Sequence, residues 1–266
     1  MDKVLIISGR KIFYRVTGRG NPVMLVHGFG ETGNVWNEQT VFLESKVQLI
    51  IPDLPGSGQS EMIDDMSIEG MAEVLKRILD HESISNFILV GHSMGGYITL
   101  AFVERYPDSL LAFGLCHSTA YPDSDEKKVA RLKGIEFIKQ HGSLEFIKTT
   151  TPNLFSPMTK EGNPALIEKF IESLPGFSPD ALIAYYEAMM KRPDRVAVLK
   201  SFEKPILFVM GEYDIAAPIQ DVLKQCHLPQ KAYIHILHQS GHMGMLEEKD
   251  KSNRSLQEFL SDVSPR

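Results

Sequence analysis

The sequence predicts an α/β fold in which a mostly parallel sheet carries helices on both faces. Short, continuously apolar segments alternate with helical segments along most of the chain, a hairpin pattern precedes them, and one long helical stretch interrupts the alternation. Continuous apolar runs are typical of strands covered by helices on both faces, and such alternation indicates parallel β-α-β units. The 266 residues are enough to bury a substantial core, in one large domain or two small ones.

Eight segments have the composition of strands. The first two, residues 4–8 and 11–16, are separated by Gly9-Arg10 and predict an antiparallel hairpin at the edge of the sheet. The other six are short apolar runs at residues 23–26, 49–51, 87–90, 110–115, 205–210 and 232–237. A mostly parallel, eight-stranded sheet follows from this count.

Helical patterns occupy the intervals between the predicted strands. They cover residues 36–43, 67–81, 97–106 and 247–263, and Ser67 is the expected N-cap of the second. Residues 117–199 contain no convincing strand, and their helical segments near 126–140, 164–174 and 179–191 are separated by turns with Gly and Pro. We therefore expect a core formed by residues 1–116 and 200–266, with a helical insertion at 117–199.

The sequence GHSMGG at residues 91–96 lies between a predicted strand and a predicted helix. That order of strand, glycine-bounded serine and helix is the context in which G-x-S-x-G places a nucleophilic hydroxyl on a strained turn. A Cβ at Gly91 or Gly95 would crowd the neighbouring backbone, whereas a serine on such a turn points out of the sheet. Ser93 is therefore the candidate nucleophile.

A serine hydroxyl needs a base within hydrogen-bond reach, and the base needs an orienting acid. Among nine histidines, His242 follows the last strand in a loop whose glycine and serine let the ring turn toward the sheet, and His238 is the alternative. The chain order of nucleophile, acid and base places the acid after the seventh strand, where Asp214 and, less well placed, Glu212 occur. Asp214 would accept the second N–H of His242 and hold its tautomer.

The oxyanion formed by attack on a carbonyl needs two preorganised N–H donors. Met94 would supply one, because it follows the nucleophile at a helix N-terminus, where the dipole favours negative charge. The second is expected from the glycine-rich loop that begins at His27, from the N–H of Phe29. His27 itself is expected to brace this loop, and His92 is expected to point away from Ser93.

Charge and composition indicate which kinds of molecule this protein binds. The net charge of −6 and pI near 5.9 come from interspersed acids and bases without a long basic patch, which argues against nucleic-acid and membrane-surface binding. No apolar stretch approaches the length of a membrane span, the N-terminus lacks the pattern of a secretory signal, and Cys116 and Cys226 have no metal-like spacing. We expect a cytoplasmic monomer or homodimer that acts on a small molecule and needs no metal or organic cofactor.

Four features, in order along the chain, resemble capped esterases, lactonases and C–C hydrolases of the α/β-hydrolase fold. They are the His-Gly-Phe loop with Trp36 after it, the segment DLPGSGQS at 53–60, the elbow at 91–96, and Gly211-Glu212-Tyr213-Asp214 leading to Gly241-His242. The resemblance covers both sheet-forming portions and implies that the helical insertion is a cap. It also implies that Asp53 braces loops and is not catalytic. A serine at the elbow argues against the haloalkane dehalogenase and epoxide hydrolase branches, which need an aspartate there.

These features together predict a carboxylesterase-like serine hydrolase with Ser93 as nucleophile, His242 as base and Asp214 as orienting acid. The same triad would also serve a lactonase or a hydrolase of C–C bonds in β-diketone-type substrates, and a ligand-binding receptor could keep the fold with slow or absent turnover. The insertion is rich in Phe and Met, so an apolar acyl or aryl group is expected. The expected pocket residues are Phe29, Trp36, Met94, Phe137, Phe155 and Met243.

Overall fold

A computed structural model describes residues 1–264, which contain an eight-stranded sheet in the order β1-β2-β4-β3-β5-β6-β7-β8. Every neighbouring pair is parallel except the two pairs that involve β2. The prediction of a mostly parallel eight-stranded sheet is confirmed. The strands are β1 (Asp2–Ile7), β2 (Arg10–Gly18), β3 (Pro22–Val26), β4 (Gln48–Pro52), β5 (Phe87–His92), β6 (Leu110–Cys116), β7 (Ile206–Gly211) and β8 (Ala232–Leu237).

Eleven α-helices occur within residues 1–264, and none of them is both long enough and apolar enough to cross a lipid bilayer. They are α1 (Asn37–Leu43), α2 (Ile68–His81), α3 (Met94–Arg105), α4 (Asp125–Thr150), α5 (Pro157–Gly162), α6 (Pro164–Ser173), α7 (Pro179–Lys191), α8 (Val196–Ser201), α9 (Ile219–Leu223), α10 (Gly244–Glu247) and α11 (Lys249–Val263). The sequence did not predict α5, α8, α9 or α10. Each has at most six residues, too few to show a helical period.

The burial of the strands explains their composition. The central strands β5 and β7 are buried along their whole length, because apolar side chains pack against helices on each face of the sheet. One apolar cluster includes Leu75 of α2 and Phe102 of α3, and the other includes Leu256 and Phe259 of α11. The edge strand β1 instead alternates exposed and half-buried residues, as expected for half of an antiparallel hairpin.

Helices α2 and α4 differ in how completely the local sequence predicts them. Helix α2 begins after Ser67, whose Oγ accepts the N–H of Gly70 at 3.0 Å, and it ends at His81 as predicted. Helix α4 extends ten residues beyond the predicted end at residue 140, but it is bent at Gly142, where φ is 84° and ψ is 167°. The helical pattern therefore stops at this glycine, and tertiary packing continues the helix on the other side of the bend.

Helices α4 to α8 lie between β6 and β7, and the predicted boundary at residue 199 falls inside α8. A buried tyrosine ties these helices to the core: the hydroxyl of Tyr185 on α7 donates to the carbonyl oxygen of Pro55 at 2.5 Å and accepts from Ser57 Oγ at 2.9 Å. Both core partners belong to the segment that follows β4. The inserted helices therefore pack directly over the carboxyl edge of the sheet.

Candidate active site

Ser93 forms the turn between β5 and α3, and its backbone is strained. Its φ of 52° and ψ of −118° lie outside the regions that residues other than glycine normally adopt. The turn is closely packed, since a Cβ on Gly91 would overlap the carbonyl group of Gly95, and a Cβ on Gly95 would lie 2.5 Å from the carbonyl oxygen of Val26. Glycine is required at both positions to hold the half-buried Ser93 at the carboxyl edge of the sheet.

His242 and Asp214 are hydrogen-bonded to each other in the loops that follow β8 and β7. His242 Nδ1 lies 2.8 Å from Asp214 Oδ2 and 3.0 Å from Oδ1, and both side chains are buried. The backbone N–H of His242 donates to the carbonyl oxygen of Leu154, which lies among the inserted helices, at 2.7 Å. The histidine is therefore held by one contact from the core and another from the insertion.

The Asp214 carboxylate is kept charged although it is buried. Burial would raise its pKa, but the nearby imidazole of His242 and the hydrogen bonds it accepts outweigh this effect and hold the pKa of Asp214 well below its ordinary value. The bonds that lower the pKa come from His117 and His242, and Oδ1 also accepts the backbone N–H groups of Ala216 and Ala217 at 2.9 and 2.8 Å. A carboxylate in this setting can stabilise a positive charge on its imidazole partner.

The strand tips bring Ser93 to the same edge as this pair. Ser93 N–H donates to the carbonyl oxygen of Cys116 at the end of β6, and Ser118 Oγ donates to the Ser93 carbonyl oxygen at 2.8 Å. On the other side of the elbow, His92 Nε2 is 3.0 Å from the carbonyl oxygen of His242. The elbow and the histidine loop are therefore in direct contact.

The alternative base and acid lie elsewhere. His238 Nδ1 is 2.7 Å from Glu212 Oε2, and this pair is on the protein surface, with side chains 67% and 47% exposed. The buried pair of His242 and Asp214 is the better candidate, because solvent screens an exposed pair and does not fix its geometry.

Two backbone amides are available for a negatively charged oxygen beside Ser93. Within residues 1–264, neither the N–H of Phe29 nor that of Met94 donates a hydrogen bond to another protein group. Met94 is the first residue of α3, where the helix dipole also favours negative charge. The Phe29 loop lies against the elbow, since a Cβ on Gly28 would be only 3.0 Å from Ser93 Cβ.

Glu31 is a site residue that the sequence did not single out. Its carboxylate is buried, accepts the N–H of Gly28 at 2.7 Å, and lies 3.0 Å from His92 Nδ1. Burial would raise the pKa of Glu31 and lower that of His92, but their mutual attraction prevails, so the pKa of Glu31 is lowered and that of His92 is raised. The only signal in the sequence was an acidic residue directly after a glycine-rich loop.

His117 was also overlooked, although it directly follows β6 at the same edge of the sheet. It is buried, has a positive φ of 51°, and its Nδ1 lies 3.1 Å from Asp214 Oδ2. Its Nε2 has no hydrogen-bond partner within residues 1–264 and faces Gly244, where a Cβ would overlap it. Burial lowers the pKa of His117, so the ring is neutral and carries its proton on Nδ1.

The loops around the site are braced by the residues expected to do so. Leu54 N–H donates to His27 Nε2 at 2.9 Å, and Asp53 accepts the N–H groups of Gly33 and Gln59 at 2.9 and 3.0 Å. The segment after β4 is thereby joined to the loop after β3 that carries Phe29.

The residues predicted to line a pocket fall into two groups. Phe29 and Phe137 are half-buried in an aromatic cluster, in which Phe29 stacks on Tyr186 with ring centroids 4.4 Å apart and Phe137 contacts Phe146. The others are almost completely buried in the two apolar clusters that flank the sheet; they are Trp36, Met94, Phe155 and Met243. The first group is thus the more accessible to a substrate.

One group of metal-ligating side chains occurs within the described residues. Ligand atoms of His117, Asp214 and His242 lie within 4.8 Å of one another. The Nδ1 atoms of both histidines are hydrogen-bonded to the Asp214 carboxylate, so this grouping is the arrangement described above.

Comparisons with known proteins agree with the fold described above. The model of the alpha/beta hydrolase fold family matches residues 21–135. A solved structure of a thermophilic esterase from Thermogutta terrifontis superposes with a TM-score of 0.92, covers 100% of both chains and is 27% identical.

Two curated relatives extend over nearly the whole chain. The 2-hydroxy-6-oxononadienedioate/2-hydroxy-6-oxononatrienedioate hydrolase of Burkholderia vietnamiensis is 27% identical over 271 residues, covering 94% of this chain and 91% of that protein. The dihydrolipoyllysine-residue acetyltransferase component of the acetoin cleaving system of Pseudomonas putida is 26% identical over 96% of this chain and 68% of its own length. Three uncharacterized mycobacterial relatives are matched over only 30% of their own length.

Proposed function

Because the chain belongs to the α/β-hydrolase-fold superfamily and is a hydrolase, we propose that it cleaves carboxylic ester bonds of a small, apolar substrate. Ser93 is the nucleophile, His242 the general base and Asp214 the orienting acid of this proposal. The observation that carries it is the buried pair of His242 and Asp214 at the same sheet edge as the strained serine turn. Such a pair activates a neighbouring hydroxyl that would otherwise be a weak nucleophile.

The reaction proceeds through an acyl-enzyme. Ser93 Oγ attacks the ester carbonyl carbon while His242 Nε2 takes the hydroxyl proton, and Asp214 stabilises the imidazolium that forms. The carbonyl oxygen becomes an oxyanion, which accepts the N–H groups of Phe29 and Met94. When the intermediate collapses, the C–O bond to the alcohol breaks and His242 returns the proton to the leaving alkoxide.

Deacylation repeats the sequence with water. His242 takes a proton from the water that attacks the acyl carbon, and the second tetrahedral intermediate collapses to the free acid and Ser93. The His242 carbonyl oxygen accepts a hydrogen bond from His92, and its N–H donates to Leu154. Both contacts support the proposal because they fix the backbone of the loop that carries the base in the two half-reactions.

The inserted helices at residues 117–199 act as a cap in this proposal. Phe29, which would provide one oxyanion donor, stacks on Tyr186 of α7 and meets Phe146 of α4 edge to face at 6.2 Å. These rings favour an apolar acyl or aryl group close to the oxyanion donors. The cap therefore selects the substrate while the core carries out the chemistry.

Hydrolysis of a C–C bond is the second candidate. It is favoured by the Burkholderia vietnamiensis relative, which aligns with nearly the whole chain and is named as the hydrolase of a 2-hydroxy-6-oxo dienedioate. The two candidates would use the same triad. Parallel assays with esters, lactones and 2-hydroxy-6-oxo dienoates separate them, since an esterase turns over the esters with the higher kcat/KM.

The first experiment is hydrolysis of p-nitrophenyl esters of increasing acyl length. We expect turnover in the natural protein, loss of turnover in Ser93→Ala, and a chain-length optimum that reports the space beneath the cap. Ser261→Ala is the matched control, because Ser261 is exposed on α11 and its variant should retain full activity. A folded Ser93→Ala protein that remains active would refute the assignment of the nucleophile.

A further inference from the structure

Glu31 and His92 form a buried hydrogen-bonded pair that takes no part in the proton transfers of ester cleavage. The side chain of Glu31 is 3% exposed and that of His92 is fully buried. Glu31 Oε2 lies 3.0 Å from His92 Nδ1, and the carbonyl oxygen of His242 lies 3.0 Å from His92 Nε2. Both ring nitrogens of His92 therefore face hydrogen-bond acceptors.

This geometry determines the charge of His92. A neutral imidazole carries one N–H and can donate only one hydrogen bond, whereas an imidazolium donates two. A neutral ring would leave either the carboxylate or the carbonyl group facing a nitrogen lone pair in a buried environment, which is costly. The raised pKa of His92 agrees with the charged form.

The other ionisable groups near His92 do not change this conclusion. The rings of His242 and His117 are centred 4.9 and 5.9 Å away, and they disfavour its charge when they are themselves protonated. Asp214 favours it, and His27, on the same loop as Glu31, has a lowered pKa because of its burial. Glu31 is the only one of these groups that is hydrogen-bonded to a nitrogen of His92.

The ion pair connects three segments of the site. Glu31 Oε2 also accepts the N–H of Gly28, the residue before Phe29, at 2.7 Å. A Cβ on Gly28 would lie 3.0 Å from Ser93 Cβ and 3.2 Å from Glu31 Oε2, so the carboxylate lies immediately behind the elbow. The Phe29 loop, the elbow and the histidine loop are therefore held in one continuous hydrogen-bonded path.

We propose that Glu31 is a positioning residue, which pairs with a protonated His92 to hold the amides of Phe29 and Met94 at the spacing that an oxyanion requires. The inference rests on the proposed function, because it assigns Glu31 a role in that reaction. Since Gly28 N–H is occupied by Glu31, the N–H of Phe29, which donates to no protein group within residues 1–264, is the oxyanion donor that this proposal assigns to the loop. The net charge of the pair is zero, so the carboxylate does not repel the oxyanion as an isolated charge would.

The kinetic test is Glu31→Gln, which keeps the shape of the side chain and removes its charge. We expect kcat to fall about 10- to 100-fold with little change in KM, because a misplaced oxyanion donor weakens binding of the transition state and not of the ester. Glu82→Gln is the matched control, since Glu82 is a largely buried carboxylate that bonds Lys3 and Tyr14 at the edge of the sheet. Wild-type kcat in a folded Glu31→Gln protein would overturn the positioning role.

The charge of His92 is measured directly by ¹⁵N NMR of the histidine side chains at pH 7.5, above the ordinary pKa of a histidine. We expect one ring with two protonated nitrogens in the natural protein, assigned by its absence from His92→Asn, and we expect Glu31→Gln to lose this signal. A neutral His92 in the natural protein would overturn the proposal even if the Glu31 variants failed to fold.

The two measurements separate this inference from the proposed function. If no substrate class is turned over but His92 is an imidazolium at pH 7.5, the assigned reaction fails and the ion pair stands as a structural clamp without a positioning role. If esters are hydrolysed and His92 is neutral, the reaction stands and the inference fails.

Discussion

Two histidine–carboxylate groups lie a few ångströms apart at the sheet edge, and they hold their protons differently. Asp214 accepts hydrogen bonds from two imidazoles, those of His242 and His117, and from two backbone amides. Glu31 accepts from one imidazole, that of His92, and from one backbone amide. The Asp214 carboxylate is therefore shared between two rings, whereas the Glu31 carboxylate is hydrogen-bonded to one ring only.

Burial alone does not explain this difference. His117 and His92 are equally buried and each contacts a carboxylate, yet the pKa of His117 is lowered and that of His92 is raised. The charge of Glu31 raises the pKa of His92 most strongly, and a carbonyl oxygen at its second nitrogen adds to this, whereas neighbouring imidazoles lower the pKa of His117, whose second nitrogen has no partner within residues 1–264. A buried histidine is thus charged when both its nitrogens meet acceptors and one of these is an unshared carboxylate.

The largest effect is expected from Asp214→Asn. An asparagine cannot stabilise the imidazolium of His242 and permits the wrong tautomer, so kcat should fall on the order of 10³- to 10⁴-fold. Steady-state kinetics with the best p-nitrophenyl ester, with protein concentration corrected for folded material, measure the loss. A folded variant within tenfold of the natural kcat would show that Asp214 does not orient the base.

The variant His92→Gln removes the imidazole of the pair with Glu31 and leaves Glu31 buried without a positive partner. Removal of one partner from a buried ion pair costs about 3–5 kcal/mol, and we expect the free energy of unfolding to fall by about this amount. Urea denaturation measures it, and His238→Gln is the control, because the exposed pair with Glu212 should contribute no more than about 1 kcal/mol. Equal stability losses in the two variants would contradict the comparison.

The pH dependence of stability sharpens the comparison. The pKa of Glu31 is lowered on folding, so Glu31 contributes to the free energy of unfolding above its ordinary pKa of 4.5. This contribution is lost as the pH falls through the pKa that Glu31 has in the folded protein. The pKa of His92 is raised on folding, so the full contribution of His92 to the free energy of unfolding is present below its ordinary pKa of 6.5. This contribution is lost as the pH rises through the pKa that His92 has in the folded protein. The stability difference between the natural protein and Glu31→Gln should therefore be greatest between these two pH values, as urea denaturation at pH 5.5 and pH 9 would show. A difference that is larger at pH 9 would contradict the charged pair.

The smallest effect is expected from His117→Leu. The neutral ring makes one hydrogen bond to Asp214, and its other nitrogen is buried without a partner, so replacement by an apolar side chain loses little. We expect a change of about 1 kcal/mol or less in the free energy of unfolding and a loss of less than tenfold in kcat. A loss as large as that of Asp214→Asn would instead make His117 essential to the triad.

Much of the architecture could be predicted from local patterns. The strands, the Ser67 cap and the glycine-bounded turn at Ser93 depend on residues that are close together in the chain, where periodicity and steric limits operate directly. Asp214 and His242 could be singled out because each follows a strand, and parallel strands end at a common edge. The short helices and the part of α4 beyond Gly142 lacked such signals, because tertiary packing stabilises them.

Only part of the candidate site could be predicted from local sequence patterns. Glu31 and His117 also follow strands, but nothing in the local sequence reveals that their side chains turn toward His92 and Asp214. Trp36 and Phe29 were both expected near the substrate, yet the first is completely buried against the ring of His92 and the second stacks on the inserted helices. Aromatic composition predicts burial but does not say against which element.

The sequence by itself determined the order of strands and helices and the chemical types that follow the strand tips, because these depend on periodicity, glycine and chain order. Only the tertiary structure decided which imidazole meets which carboxylate, and whether its second nitrogen finds an acceptor. Protonation depends on contacts within about 3–4 Å between residues that can be far apart in the chain, as His92 and His242 are. The pair of His242 and Asp214 and the pair of His92 and Glu31 therefore use the same residue types, and they differ in the groups that the three-dimensional structure brings to each ring.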